Sequence, residues 1–233
     1  NRPYIVCHMA STINGRIISE NWGRIEDRRR YSALYEQCHN SFENQAWMVG
    51  RKTLEKDFNE RLDLQSIKPS PNISREAFIG DPNATSFVIA LDSKGKLGWD
   101  SNEIDGDHVI VILTEDISND YLNYLKLKNI SYVFAGKNRV SFKVALEKIG
   151  ELFPIRTIML EGGGHINGAM LQEDLIDEIS IVLLPVIDAT SHSPTTFEIP
   201  VPLHDKENQN LSYQSVEQLD NGVLWLKYSI DHS

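Results

Sequence analysis

Thr157-Ile158-Met159-Leu160-Glu161-Gly162-Gly163-Gly164-His165-Ile166-Asn167 decides how this sequence is read. A short apolar, β-prone run enters three consecutive glycines, and helical spacing resumes over residues 169–172. Three glycines let backbone N–H groups approach an anion with no Cβ in the way, and a helix start adds a favourable dipole. A dinucleotide pyrophosphate fits such a junction, and so does a tight structural turn. The run is not the G-x-G-x-x-G fingerprint of a first βα unit. Glu161 stands at the C-terminal end of the strand, where sheets of this kind present ligand-binding groups. Its carboxylate is placed there to orient a polar heterocycle or to partner the helix start.

Outward from this junction, strand-like and helical segments alternate. Residues 4–10, 46–49, 87–91, 109–113 and 130–134 are apolar, β-rich runs. Helical spacing occupies residues 26–42, where Tyr31, Leu34, Tyr35 and Cys38 share a face, and also residues 119–128 and 141–152. Alternation of this kind predicts an α/β fold whose mostly parallel central sheet carries helices on both faces. After Asp177 the pattern changes to three extended runs, residues 179–186, 211–219 and 223–230, which predict an antiparallel C-terminal edge. Residues 63–84, with Pro69, Pro71 and Pro82, read as a surface excursion and not as a linker, so residues 1–233 are expected to form a single domain.

Composition narrows the function. With 23 Lys and Arg against 33 Asp and Glu, the 233-residue chain carries a formal charge of −10, which disfavours nucleic acid and anionic membrane surfaces. Cys7 and Cys38 belong to no metal-ligand spacing, and His8, His39, His165 and His192 form neither a hydrolase triad nor an H-E-x-x-H motif. No metal is therefore expected. Free thiols, no uncharged run near the length of a membrane span and no basic-then-apolar leader together give the expectation of a cytoplasmic protein.

A second cluster lies at Gly50-Arg51-Lys52-Thr53, read as a polar loop after a strand. Two fixed cations and a hydroxyl suit the extra phosphate that distinguishes NADP from NAD, although a solvated loop has the same composition. Asp57 and Trp22 are further pocket residues on this reading, each also readable as a cap or a surface-packed ring.

Taken together, Met9-Ala10-Ser11-Thr12-Ile13-Asn14-Gly15-Arg16-Ile17, Val49-Gly50-Arg51-Lys52-Thr53, Leu91-Asp92-Ser93, Glu161-Gly162-Gly163-Gly164 and Leu175-Ile176-Asp177-Glu178-Ile179 resemble the reductase domain of bacterial riboflavin-biosynthesis deaminase/reductases over nearly the whole chain. The resemblance implies a dihydrofolate-reductase-like fold, NADPH as cofactor, a homodimer, and reduction of the ribose of a phosphoribosylamino-pyrimidine to a ribityl chain. It places Ala10, Thr53, Asp57, Ser93, Gly162, Gly163, Gly164, His165 and Ile166 on NADPH, matches Trp22 to a cofactor-contacting tryptophan, and turns Glu161 toward the substrate. It also makes Gly162-Gly163 a candidate cis peptide. With Arg51 to Thr53 at the adenosine phosphate, the nicotinamide is expected to face Ala10, Asn14, Trp22 and Glu161.

The sequence departs from the family where an arginine grips the substrate phosphate: Ser41 stands there, and serine cannot form the charge-assisted fork. His39, Arg61 or one of Arg28 to Arg30 is the available substitute. No residue is assigned as proton donor. A pterin- or dihydrofolate-type reductase on the same fold, and a non-catalytic nucleotide-binding protein, are the alternative readings.

Overall fold

The computed structural model describes residues 2–57, 73–199 and 209–232. In chain order the elements are β1 (Tyr4–Thr12), α1 (Ile25–His39), β2 (Ala46–Gly50), α2 (Arg51–Asp57), β3 (Phe87–Leu91), β4 (Glu103–Ile104), β5 (Asp107–Leu113), α3 (Asn119–Leu127), β6 (Ser131–Phe134), α4 (Phe142–Leu152), β7 (Thr157–Leu160), α5 (Gly164–Gln172), β8 (Glu178–Leu184), β9 (Leu211–Gln218) and β10 (Leu224–Ile230). Two compact units emerge, one of Asn1–Pro3 and Asn44–Ile158, the other of Tyr4–Glu43 and Met159–Ser233.

In the first unit β2, β3, β5 and β6 lie side by side and parallel, in registers such as Met48↔Ile89, Ile89↔Ile110 and Ile112↔Val133. The short β4 adds an antiparallel partner at the start of β5. Strands of a parallel sheet are covered on both faces, which is why these runs are apolar almost without interruption. Val88, Ala90, Val109, Val111 and Leu113 are buried with Tyr121, Leu122 and Leu125 of α3. Ser118 and Ser141 cap α3 and α4, each hydroxyl accepting from the backbone N–H three residues on.

The second unit is mixed. β1 and β8 pair in parallel, Met9 against Ile181, and β8, β10 and β9 continue as the antiparallel finish expected from the sequence. Tyr31, Leu34 and Cys38 of α1 pack with Ala10, Trp22, Val182, Leu184, Val223 and Trp225. Helix α5 begins at Gly164, a turn and a half earlier than its sequence spacing predicts. The reason is tertiary. A Cβ on Gly164 would overlap the carbonyl oxygen of Thr195, and one on Gly168 that of Glu198. The Glu198 N–H donates to Gly164 O at 2.9 Å, and the buried Asn167 amide donates to Thr196 O at 2.9 Å. A backbone strap thus holds a glycine-rich helix that propensity alone disfavours.

His8 sits wholly buried in β1. Its Nε2 lies 3.2 Å from Tyr35 O, which only accepts, so Nε2 carries the proton and Nδ1 accepts from the Ser180 hydroxyl at 2.9 Å. Ser180 in turn accepts from the Trp225 indole N–H at 2.8 Å. This network satisfies the neutral ring, and burial lowers the His8 pKa from 6.5 to about 4.

Two outcomes follow from this packing. Between about pH 6.5 and 4 the unfolded chain takes up a proton that folded His8 refuses, so stability is complete above that window and falls through it by about 3 kcal/mol. We expect urea midpoints of the wild type to drop across this range more steeply than those of His8→Gln. Gly168→Ala would raise stability by roughly 1 kcal/mol in an exposed helix, whereas against the Glu198 carbonyl we expect a loss of about 2 kcal/mol, read from the same unfolding curves.

Candidate functional site

β7 delivers Glu161 to the glycine junction. Gly162 takes a φ of 86°, a region that disfavours side chains, and a Cβ there would lie 3.0 Å from the Met9 side chain. The Gly162-Gly163 peptide bond is cis. Gly163 is the N-cap of α5, and no side chain caps that helix start. A Cβ on Gly163 would meet nothing within 4 Å, so its backbone faces open space while its two neighbours are hemmed in. His165 is exposed, and Ile166 turns into the interior.

Glu161 is joined to α1 by the last residue of that helix. His39 Nδ1 lies 2.7 Å from Glu161 Oε1, with the two side chains 16% and 15% exposed. The His8 ring stands edge-on to His39 at 6.1 Å and stacks on Tyr35 at 4.3 Å. Burial, with Glu161 nearby, pushes the Tyr35 hydroxyl well above its ordinary value. The structure therefore brings two residues read as substrate-facing, His39 and Glu161, into one pair at the glycine junction. Their separation along the chain gave no sign of it.

Other residues named from the sequence have defined structural partners. Asn14 accepts from the Asp188 backbone N–H at 3.1 Å, donates to Asp188 O at 2.8 Å and accepts from the Thr12 hydroxyl at 2.9 Å, so its amide pins a turn. Asp188 receives Thr190 N–H and O–H and the Asn21 amide, bonds that hold its carboxyl well below the usual carboxylate range. Ala10 and Trp22 are core residues of the second unit, and the Trp22 indole nitrogen is buried with no hydrogen-bond partner. Ser41 donates to Cys38 O at 2.7 Å and closes the end of α1.

In the first unit Gly50 ends β2, and Arg51, Lys52 and Thr53 form the first turn of α2, where the sequence had read a loop. The Arg51 guanidinium pairs with Glu55 one turn on. Lys52 is exposed and Thr53 half-buried. Ser93 follows β3, its carbonyl accepting from the Thr114 hydroxyl at 2.9 Å. Beside it Asp92, unassigned from the sequence, accepts from Lys96 N, Leu97 N and the Tyr121 hydroxyl at 2.7, 2.9 and 2.9 Å, fixing the turn after β3. Burial raises its carboxyl pKa against those bonds. Arg61 and the side chain of Asp57 lie outside the described residues. Among the described residues no cluster of three metal-ligating side chains occurs, and no helix is long and apolar enough to cross a membrane.

The chain is 24% identical over 200 residues to the 2,5-diamino-6-ribosylamino-4(3H)-pyrimidinone 5′-phosphate reductase of Archaeoglobus fulgidus, covering 83% of this chain and 85% of that protein. Its fold is similar to a pyrimidine reductase-like protein of Corynebacterium diphtheriae, with a TM-score of 0.68 at 16% identity, covering 99% of this chain and 93% of the other. It is similar also to the riboflavin biosynthesis reductase of Saccharomyces cerevisiae, with a TM-score of 0.58 at 18% identity, covering 99% and 90%. Against RibD of Acinetobacter baumannii the TM-score is 0.66 at 18% identity, and the match covers 99% of this chain but spans only 58% of that one. The model of the RibD C-terminal domain matches residues 3–225. With β7, the glycine junction, β8 and β9 inside that match, the chain belongs to the RibD C-terminal domain family.

Proposed function

We propose that this chain is an NADPH-dependent reductase, one reductase domain over residues 1–233, that converts a ribosylamino-pyrimidine 5′-phosphate to its ribitylamino form. The names of its relatives support the reaction: the Archaeoglobus fulgidus protein is a reductase of such a phosphate. The observation that carries the reading is the start of α5, where Gly163 offers an open backbone face at a helix N-terminus that no side chain caps, immediately after the Glu161–His39 pair. An uncapped helix start with no Cβ over it fits an anionic pyrophosphate.

On this reading residues 162–166 hold the pyrophosphate. Arg51, Lys52 and Thr53, with Ser93, take the 2′-phosphate end, which requires Arg51 to exchange Glu55 for the ligand. Ala10 and Trp22 form the apolar support of the nicotinamide. When bound, NADPH supplies the hydride. The protein binds and orients the reactants and keeps water from the reacting carbon. Asn14 acts on the site through the Asp188 turn that it pins. The protein works in the cytoplasm as a homodimer, without nucleic acid, membrane or metal.

Ser41 favours a second reading. Its hydroxyl is committed to the end of α1, so the place of the family's phosphate-gripping arginine offers the substrate no charge. A pterin-type substrate without that phosphate is consistent with this arrangement.

NADPH oxidation measured with the two ribosylamino-pyrimidine phosphates, amino-substituted and uracil, and with dihydrofolate separates these readings. We expect turnover with a ribosylamino-pyrimidine, and turnover with dihydrofolate alone would transfer the assignment to the second reading. NADPH is expected to raise Tm more than NADH does, by mass action on the folded state, and no rise with either would remove both readings. Gly163→Ala has room for its methyl group. We expect the same Tm without ligand and NADPH binding weakened by about tenfold or more, a loss of roughly 1.4 kcal/mol; unchanged affinity would move the pyrophosphate away from this junction.

A further inference from the structure

The loop after β1 and the segment after β8 form a hydrogen-bonded seam. Ile13 N–H donates to Val186 O at 2.9 Å, Ile17 N–H to Pro194 O at 3.3 Å and Thr196 N–H to Gly15 O at 3.2 Å. Asp188 stands within this seam, 3% exposed. Its backbone N–H and carbonyl both engage the Asn14 amide, and its Oδ2 accepts from the Asn21 amide at 3.0 Å. Its other carboxylate oxygen accepts from Thr190 N–H at 2.9 Å and Thr190 O–H at 2.6 Å, so the carboxylate cannot turn away without giving up both.

Asn21 ends the short 3-10 turn Ser19–Asn21, and the next residue is Trp22, whose backbone N–H donates to Ser19 O at 3.1 Å. A shift of Asn21 therefore shifts Trp22. The Trp22 ring is 7% exposed, packs with Ala10, and its indole N–H is buried without an acceptor. An unpaired buried donor costs about 1–3 kcal/mol, so the place of this ring is set by the turn before it and not by its own hydrogen bonding. Beyond Asp188 the same segment runs into the strap on α5, where the Asn167 amide donates to Thr196 O and Glu198 N–H to Gly164 O. Residues 186–198 thus tie the Trp22 turn to the helix start that follows the glycine junction.

We propose that Asp188 is a positioning residue of the reduction: its carboxylate holds Asn21, and through it Trp22, in register with the glycine junction, so that the nicotinamide is aligned for hydride transfer. This rests on the reading given under Proposed function, in which Trp22 supports the nicotinamide and residues 162–166 hold the pyrophosphate. An ionised carboxylate only accepts, which matches the three donors aimed at it from Thr190 and Asn21. The effect falls on alignment: a misplacement of about 1 Å away from the reacting atoms can cost 10²-fold in rate, while the backbone that receives the pyrophosphate is untouched. Asp188 therefore acts on kcat, and the glycine junction on NADPH affinity.

A charge swap tests this. Asn21→Asp sets a second carboxylate against Asp188. Adding Asp188→Asn restores a donor–acceptor pair, because the amide introduced at 188 offers Oδ1 to Thr190 and Nδ2 to the carboxylate at 21. The full chain is assayed below the Tm of every variant with 2,5-diamino-6-ribosylamino-4(3H)-pyrimidinone 5′-phosphate and NADPH. We expect Asn21→Asp to lower kcat by about tenfold or more, with KM for NADPH and the NADPH-induced rise in Tm unchanged. The double variant is expected to recover kcat to within about threefold of wild type. A seam that served only the fold would lower the Tm of Asn21→Asp and leave the kcat of the folded enzyme at the wild-type level. That result, a loss of NADPH affinity in place of kcat, or a double variant as slow as Asn21→Asp would overturn the assignment of Asp188 alone. A wild-type chain that neither binds nor oxidises NADPH would overturn the underlying reading and this assignment with it.

Discussion

Backbone meets backbone where the Thr195 and Glu198 carbonyls press into the space that Cβ atoms on Gly164 and Gly168 would fill. That contact exists only because both positions are glycine, and the Gly164 and Asn167 hydrogen bonds to the same strap lock it. It lets α5 begin directly after the strand end, with no capping side chain over its first N–H groups. The open face at Gly163 lies between the two contacts, so one steric condition shapes the glycine junction.

The same unit holds two histidines in different surroundings. His8 is sealed among Tyr35, Ser180 and Trp225, where a neutral ring satisfies every partner and a charged one would not. His39, one ring away at 6.1 Å, meets a carboxylate and reaches the surface. Burial outweighs the nearby Glu161 charge and keeps His8 neutral, whereas His39 meets that carboxylate directly. The contrast is drawn by position alone, since both residues come from ordinary secondary structure.

The sequence disclosed what depends on local pattern. Continuous apolar runs marked β2, β3, β5 and β6, because a parallel sheet under helices buries both faces of each strand. Strand β4 escaped notice, being two residues long and set by pairing with Asp107 and His108. The start of α5 was placed too late because glycines disfavour helix, and its support comes from residues some thirty positions away. Arg51 to Thr53 read as loop for want of a cap signal, and the Arg51–Glu55 pair shows them in a helical turn. The His39–Glu161 pair was the least legible feature. Each residue was singled out separately, but no spacing rule joins a helix end to a strand end so far along the chain.

A crystal structure of the chain with NADPH tests the central claim most directly. The account requires the pyrophosphate within hydrogen-bonding distance of the backbone at Gly163 and the first turn of α5, with the Glu161–His39 contact intact beside the nicotinamide. A pyrophosphate bound elsewhere, with the Gly163 face empty, would contradict it.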